Sequence, residues 1–361
     1  MMWTVQLQGG PTRVNHAAAI IGINIYCFGG YCSKEEYNDW DPIPVHVLNT
    51  KTLRWSPVEY AKNEITPFQR YGHSAIAYGH LVYMWGGRNN SVACETLCCF
   101  NTETLFWSTP RVDGMVPNAK DGHSACLIKN KMFIFGGFEY VTDRLSAEIH
   151  CLDLDTLHWS LVNATGPVPS PRDFHTAVNV GQKMYVFGGR SDLSRVNIND
   201  QLVYCAQLYC LDTARDHWVH IEVPGTLPEG RRSHSAWYYE GGLYVFGGYN
   251  SINRKHYNNL YKYSIEENKW TSLSLPGQWP CKRRRQVCLK LNDKVFLFGE
   301  LVDKSDLHIL DYKCSLRTLS IMKCIEHNLM EDWLPGELKM DIKIMSMPNH
   351  ISKVANPSQT G

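Results

Sequence analysis

The sequence has no apolar run approaching the roughly 18–20 residues that a membrane-spanning helix needs. It has almost no net charge, +1 from 36 Lys and Arg against 35 Asp and Glu, so no field of one sign draws it to nucleic acid or to an anionic membrane. The opening Met-Met-Trp-Thr-Val-Gln-Leu lacks the basic start and apolar core of a secretory signal. Phosphate loops, nucleophile elbows and carboxylate pairs standing apart from the rest of the pattern are missing. The 13 cysteines include no CxxC pair, and the cluster Cys94–Cys98–Cys99 has no second ligand pair at zinc-finger distance. Cys27, Cys126, Cys151, Cys205 and Cys288 sit in apolar runs and read as small buried hydrophobes of a reducing compartment. These absences predict a soluble, cytoplasmic protein, free to be nuclear as well. They predict no metal, no cofactor, no catalysis, and neither nucleic acid nor membrane as direct partner.

What is present is repetition. Diglycines at Gly29–Gly30, Gly86–Gly87, Gly136–Gly137, Gly188–Gly189 and Gly247–Gly248 recur every 50–59 residues, each ending an apolar run such as MFIFGG or LYVFGG. A sixth run, VFLFGE, keeps Gly299 but has Glu300 as its second member. Thirteen residues before each first glycine stands His16, His73, His123, His175 or His234, with Gln286 in the sixth copy. Three residues earlier lies a base: Arg13, Arg70, Lys120, Arg172, Arg231 or Arg283. A third apolar run then leads to Trp55, Trp107, Trp159, Trp218 or Trp270. The period and the strand-type runs predict four-stranded antiparallel blades that bury their faces only by stacking on one another. Over about residues 3–312 the chain resembles the kelch-repeat family, which implies an all-β, six-bladed kelch β-propeller spanning residues 1–312.

The sixth copy has no tryptophan after LHILDYKCSL, but Trp3 precedes Arg13 by 10 residues where other tryptophans precede the next base by 13. The N-terminal strand is therefore expected to close the ring as the outer strand of the sixth blade, leaving no long free edge. Histidines, bases and tryptophans that recur in every copy read as structural: the histidines as partners of buried backbone groups, the bases as strand caps or inter-blade pairs, the tryptophans as core. Function is sought where the copies differ. Those positions are the residue after each diglycine (Tyr31, Arg88, Phe138, Arg190, Tyr249) and the turn before each histidine, which supplies Tyr71, Asp121, Asp173, Arg232 and Ser233. If Arg190, Arg195 and Arg232 converge, they form a cationic pocket suited to a carboxylate, with Asp121 and Asp173 able to meet a cation on the same ligand. The bland alternative is a set of solvated loop charges. Lys282-Arg283-Arg284-Arg285 falls where each copy places its base and reads as a surface loop rather than a nuclear signal. A copper- or iron-bearing enzyme would need metal ligands at the mouth outside the repeat register; the mouth offers Tyr31, Tyr71 and Tyr249 but no such histidine.

After residue 312 the strand pattern stops. Residues 315–329 carry Leu316, Ser320 and Cys324 at helical spacing, and Pro335-Gly336 interrupts or restarts the helix. This predicts a helical segment over 313–345 and a polar, disordered tail over 346–361. The segment resembles an elongin-binding box (Leu316, Ser320, Cys324) followed by a cullin-2 box (Leu334, Pro335, Leu338). Substrate receptors of cullin-2 ubiquitin ligases that carry kelch propellers share this layout. The resemblance implies a non-catalytic receptor that partners elongin B/C and cullin-2 with its RING subunit. Such receptors capture glycine-ended substrate C-termini in the central pocket, so Arg190 and Arg195 would hold the terminal carboxylate with Arg232 and Ser233 beside them. Tyr31, Arg88, Phe138, Tyr249, Asp121 and Asp173 would form the rim, and Glu300 with the short loop after it would alter one wall. The chain's own Gly361 could enter its own or a neighbour's pocket, giving self-association. The reading from a different class is a kelch scaffold for cytoskeletal or chromatin proteins with no ligase association. Ring closure by the N-terminal strand makes a direct prediction: deleting residues 1–8 lowers the melting temperature of the whole propeller, and an unchanged melting temperature overturns the closure.

Overall fold

The computed structural model describes residues 1–32, 38–192, 202–299, 305–329 and 333–351. The strand-type runs pair as the repeat demands. Among the described residues there are six sheets of four or five strands, one per repeat, each with its four main strands antiparallel. In the fourth repeat, Thr176–Val180, Lys183–Phe187, Leu208–Asp212 and His217–Ile221 lie side by side in chain order. The second strand of a sheet is buried on both faces, as in Lys183–Phe187, because neighbouring sheets cover it on either side. The fourth strand alternates instead: in His158–Leu161 and Lys269–Leu273 the tryptophan points inward and its neighbours face water.

The last sheet is completed from the other end of the chain. Strand β1 (Met2–Leu7) pairs antiparallel with Leu307–Asp311, Met2 opposite Asp311 and Leu7 opposite Leu307. Trp3 is fully buried there, as the closure reading expects. Each strand-four tryptophan packs on the aromatic residue just before the diglycine of the preceding sheet. Trp107 lies 5.8 Å from Phe28, Trp159 5.8 Å from Trp85, Trp218 5.3 Å from Phe135 and Trp270 5.2 Å from Phe187. Trp3 continues the series at 5.7 Å from Phe246, and Trp55 returns it to the start at 5.0 Å from Phe298. These pairs give the kelch β-propeller its inter-sheet core.

The inner ends of the repeats are joined directly. The amide of Gly72 donates to the carbonyl of Asn15 (2.9 Å), Gly122 to Gly72 (3.0 Å), Phe174 to Gly122 (2.7 Å), Ser233 to Phe174 (2.8 Å), Arg285 to Ser233 (2.9 Å) and Asn15 to Arg285 (3.2 Å). The cycle contains one residue from each repeat and returns to its origin. All six have φ between 50° and 71°, so four residues with side chains hold a left-handed conformation that only surrounding structure sustains. Just inside this ring the next residues, His16, His73, His123, His175, His234 and Gln286, line a cavity of about 180 Å³. His123, His175 and His234 each hydrogen-bond through Nε2 to a hydroxyl one repeat back: Ser74 at 2.9 Å, Ser124 at 2.7 Å and Thr176 at 2.8 Å. Backbone groups were the expected partners; the side-chain links between sheets are the difference. Burial pushes His16, His123 and His234 down to about 3, so they are neutral at physiological pH.

The diglycines follow from this stacking. A Cβ on Gly188 (φ 72°) would lie 2.5 Å from His234 Cε1 and 2.8 Å from the Arg231 carbonyl of the next repeat. The repeated bases also serve the backbone: Arg172 Nη1 and Arg231 Nη1 each donate at 3.0 Å to the carbonyl of the first glycine in their own repeat. Arg283 is 1% exposed and forks onto Asp306 at 2.8 Å through both terminal nitrogens, so the four-base run is not the surface loop its sequence suggested.

The C-terminal segment forms α1 (Leu316–Glu326), capped by the Ser315 hydroxyl accepting from the Thr318 amide, and α2 (Gly336–Ser346). Ile321, Leu334 and Ile342 form the core between them, with Cys324, Leu338 and Met345 around it. The expected tail begins later than 346. Ser346 ends α2, and Asn349 is buried against the propeller: its amide donates to Gln8 O (2.6 Å), its Oδ1 accepts from Trp55 N (3.0 Å) and its Nδ2 donates to Leu53 O (3.2 Å). Arg54 donates to the carbonyls of Lys343 and Met347, and Ile344, Met345 and Ile351 pack on the core between the first and last sheets. Gly9 (φ 89°) permits this contact, since a Cβ there would sit 1.6 Å from the Asn349 carbonyl oxygen. Residues 352–361, Gly361 among them, lie outside the described residues. No described helix is long and apolar enough to cross a membrane. Asn349→Ala strands a buried amide and a buried carbonyl, so a loss of about 1–3 kcal/mol in denaturant unfolding is expected; an unchanged midpoint removes the clasp from the account of stability.

Candidate functional site

The two sets of variable positions meet, because they face each other across short pairings at the mouth of the ring. Val14 bridges to Tyr31, Tyr71 pairs with Arg88, Asp121 with Phe138, Asp173 with Arg190, and Arg232 with Tyr249. Each first member immediately precedes a residue of the hydrogen-bonded cycle, so the backbone turn fixes where its side chain emerges. Ser233 belongs to the cycle itself, through its amide and carbonyl.

Charge divides the mouth into three sectors. In the fourth repeat Arg190 forks onto Asp173: Nε donates to Oδ1 at 3.0 Å and Nη2 donates to Oδ2. The Asp173 side chain is 0% exposed and that of Arg190 28%. Burial raises Asp173 against the opposing pull of Arg190. Asp173 therefore meets a cation of its own chain rather than one on a ligand. Asp121, one repeat earlier, accepts from the Tyr140 hydroxyl at 3.0 Å, and that hydroxyl accepts from Arg88 Nη1 at 2.8 Å. Arg88 also lies over the Tyr140 ring, on which Phe138 packs edge-on at 5.1 Å. Burial lifts Asp121 to about 6, with the Asp173 charge adding to the rise and Tyr140 opposing it. Tyr31 and Tyr71 form an edge-to-face pair at 6.0 Å in the first two repeats.

The third sector is basic. Arg232 and Arg284 occupy the same repeat position, and both lie against Tyr249, their guanidinium carbons 5.9 Å and 4.3 Å from its ring centroid. Arg232 also faces Phe174 at 5.8 Å. Arg285 follows in the cycle; burial first, then the charges of Arg284 and Arg232, push it down to about 10. Burial and Arg232 lower Arg284 as well. The Nε atoms of Arg232 and Arg284 are buried without a hydrogen-bond partner. Among the described residues no carboxylate pairs with any of these three guanidiniums, an arrangement that fits an anion from outside. Arg195 and Glu300 lie outside the described residues. Among those that are described, no group of three or more His, Cys, Asp or Glu side chains is placed to hold a metal ion.

Sequence reasoning missed Tyr140, which links Asp121 to Arg88, and it left Arg284 and Arg285 out of the site. The signal for Arg284 was available: it stands two residues before Gln286 as Arg232 stands two before His234. At the other end of the molecule, Leu316 is 82% exposed and Ser320 is exposed. Cys324, Leu334 and Leu338 belong to the α1–α2 core, while Pro335 sits at the N-cap of α2.

Asp121 gives the site a pH signature. Its folded pKa, about 6, exceeds its ordinary value of 3.8, so the folded state binds the proton more readily and loses stability as pH rises from about 4 to 6. Asp121→Asn keeps an acceptor for Tyr140 and removes that loss. The variant is expected to be more stable relative to wild type at pH 7.5 than at pH 4 by roughly 1–3 kcal/mol; a pH-independent difference in denaturant unfolding contradicts the assignment.

Comparison with known proteins agrees with the repeat. Residues 72–299 match the family model described as the KLHDC2/KLHL20/DRC7 Kelch-repeats domain. The chain is 42% identical over 374 residues to Kelch domain-containing protein 3 of Bos taurus and of Homo sapiens, covering 98% of this chain and 98% of each relative. It is 26% identical to Kelch domain-containing protein 2 of Bos taurus, over 82% of this chain and 77% of that protein. Host cell factor 1 of Mus musculus is 29% identical over 69% of this chain, which corresponds to 13% of its own length. With its repeat register, its stacked sheets and these relatives agreeing, the chain belongs to the kelch-repeat family, as a propeller scaffold of the protein-binding type.

Proposed function

We propose that the chain is a six-bladed kelch propeller acting as the substrate-recognition subunit of a cullin-2–elongin B/C ubiquitin ligase. Its mouth binds the free, glycine-ended C-termini of substrate proteins. It catalyses nothing itself; transfer belongs to its partners. The observation that carries the reading is the basic sector of the mouth, where Arg232, Arg284 and Arg285 crowd together without a carboxylate of the chain to pair with. A chain terminus supplies the missing group: a carboxylate on an extended backbone, narrow enough when glycine ends it to enter between guanidinium and aromatic walls. The chain's own Gln359-Thr360-Gly361 is a ligand of the same chemistry, so self-association through that tail belongs to the same reading.

The helical segment supports the ligase half of the proposal. Leu316 and Ser320 lie one helical turn apart on the face of α1 turned from α2, available to elongin C. Cys324, Leu334 and Leu338 act indirectly, by fixing α1 on α2. Arg54, Asn349 and the contacts to β1 then set the pair rigidly on the propeller. The test is binding of glycine-ended peptides to the purified chain, against the same peptides with an amidated C-terminus. At least about tenfold weaker binding of the amides is expected, since a charge-assisted, bidentate contact is lost. Equal binding of acid and amide overturns the carboxylate reading and leaves a propeller that binds its partners by other means.

A further inference from the structure

The mouth offers two places to a carboxylate, and they are not equivalent. Arg190 has two of its donors, Nε and Nη2, committed to Asp173. A second carboxylate arriving there would approach the first, and its attraction to Arg190 would be offset by repulsion from Asp173. The sector around Tyr249 has the opposite character. Arg232 and Arg284 come from successive repeats and flank one aromatic ring. Reciprocal backbone hydrogen bonds, Arg232 N to Tyr249 O at 3.0 Å and Tyr249 N to Arg232 O at 2.9 Å, hold that ring in place. His256 packs on the same ring at 4.4 Å. Three nitrogens here, Arg232 Nε, Arg284 Nε and His256 Nε2, are buried without a hydrogen-bond partner. A buried donor left without an acceptor is costly, and one anion between two like charges relieves both donors and their mutual repulsion.

We propose that the Arg232–Arg284 pair flanking Tyr249, and not the Arg190 fork, is the anchor for the terminal carboxylate of the bound tail. In this arrangement Arg190 and Asp173 form a neutral wall that shapes the pocket, and Arg284 is the decisive residue, contributed by the repeat that lacks both the histidine and the second glycine. The inference rests on the carboxylate reading of the mouth and adds the residues that perform it.

The experiment compares a glycine-ended peptide with its amide, by fluorescence anisotropy, on wild type, Arg284→Gln, Arg284→Lys and the double variant Arg190→Gln/Asp173→Asn, which removes both charges of the fork together. Arg284→Gln is expected to weaken the acid peptide about tenfold or more and to leave the amide unchanged, bringing the acid-to-amide ratio close to one. Arg284→Lys, which keeps the charge without the fork, should retain part of the ratio and provides the reading if the glutamine variant does not fold. The double variant should keep the wild-type ratio. Retention of that ratio by the Arg284 variants, or its loss in the double variant, overturns the assignment while leaving the carboxylate pocket standing. Equal binding of acid and amide by wild type overturns both.

Discussion

Six peptide groups hold this molecule in its shape. Asn15, Gly72, Gly122, Phe174, Ser233 and Arg285 pass a hydrogen bond from one repeat to the next until it returns to its start. Each does so at a positive φ, which turns the chain sharply enough that the residues on either side part ways. The preceding side chain emerges at the mouth, and the following histidine or glutamine turns into the cavity beneath. The cycle thus separates a variable, charged set of positions from a uniform, neutral one. A left-handed Phe, Ser or Arg is unfavourable in isolation, so the geometry at the mouth is borrowed from the closure of the whole ring.

Beneath the cycle, every repeated residue has a partner one repeat away. The tryptophans lie on the preceding sheet's aromatic residue, and histidines reach a hydroxyl on the preceding sheet. Glycine is required where the next histidine and the next backbone carbonyl press closest. Few of these contacts lie within a single sheet, which is why no blade can be stable alone.

Most of the fold was legible in the sequence because it is written several times over. A register such as the thirteen-residue interval from histidine to glycine is visible by self-comparison, and the placement of Trp3 follows from a gap in that register. The candidate site was legible only in outline. Its positions could be read off as those that vary, but their pairing depends on which variable residue of one turn faces which residue past a diglycine. That is how the Asp173–Arg190 fork escaped notice, and how Arg284 was hidden inside a run of bases whose second member is buried on Asp306. Asn349 had no signal at all, being one polar residue in a polar tail, and its burial follows from unpaired backbone groups at Leu53, Trp55 and Gln8 that nothing in the repeat announces. The helical pair is consequently part of the propeller's edge, and whatever docks on α1 is held at a fixed bearing to the mouth.

Strand β1 is made first and is needed last. Its partner Leu307–Asp311 lies about three hundred residues further along, and the Asn349 clasp comes later still. During synthesis, at about 5–20 residues per second, the first strand and its tryptophan must wait tens of seconds with an apolar face uncovered. The ring can close only when translation of the repeats is complete. A nascent chain stalled anywhere before Leu307 carries an open sheet at each end and no clasp, so such truncated products are inherently sticky and marked for disposal.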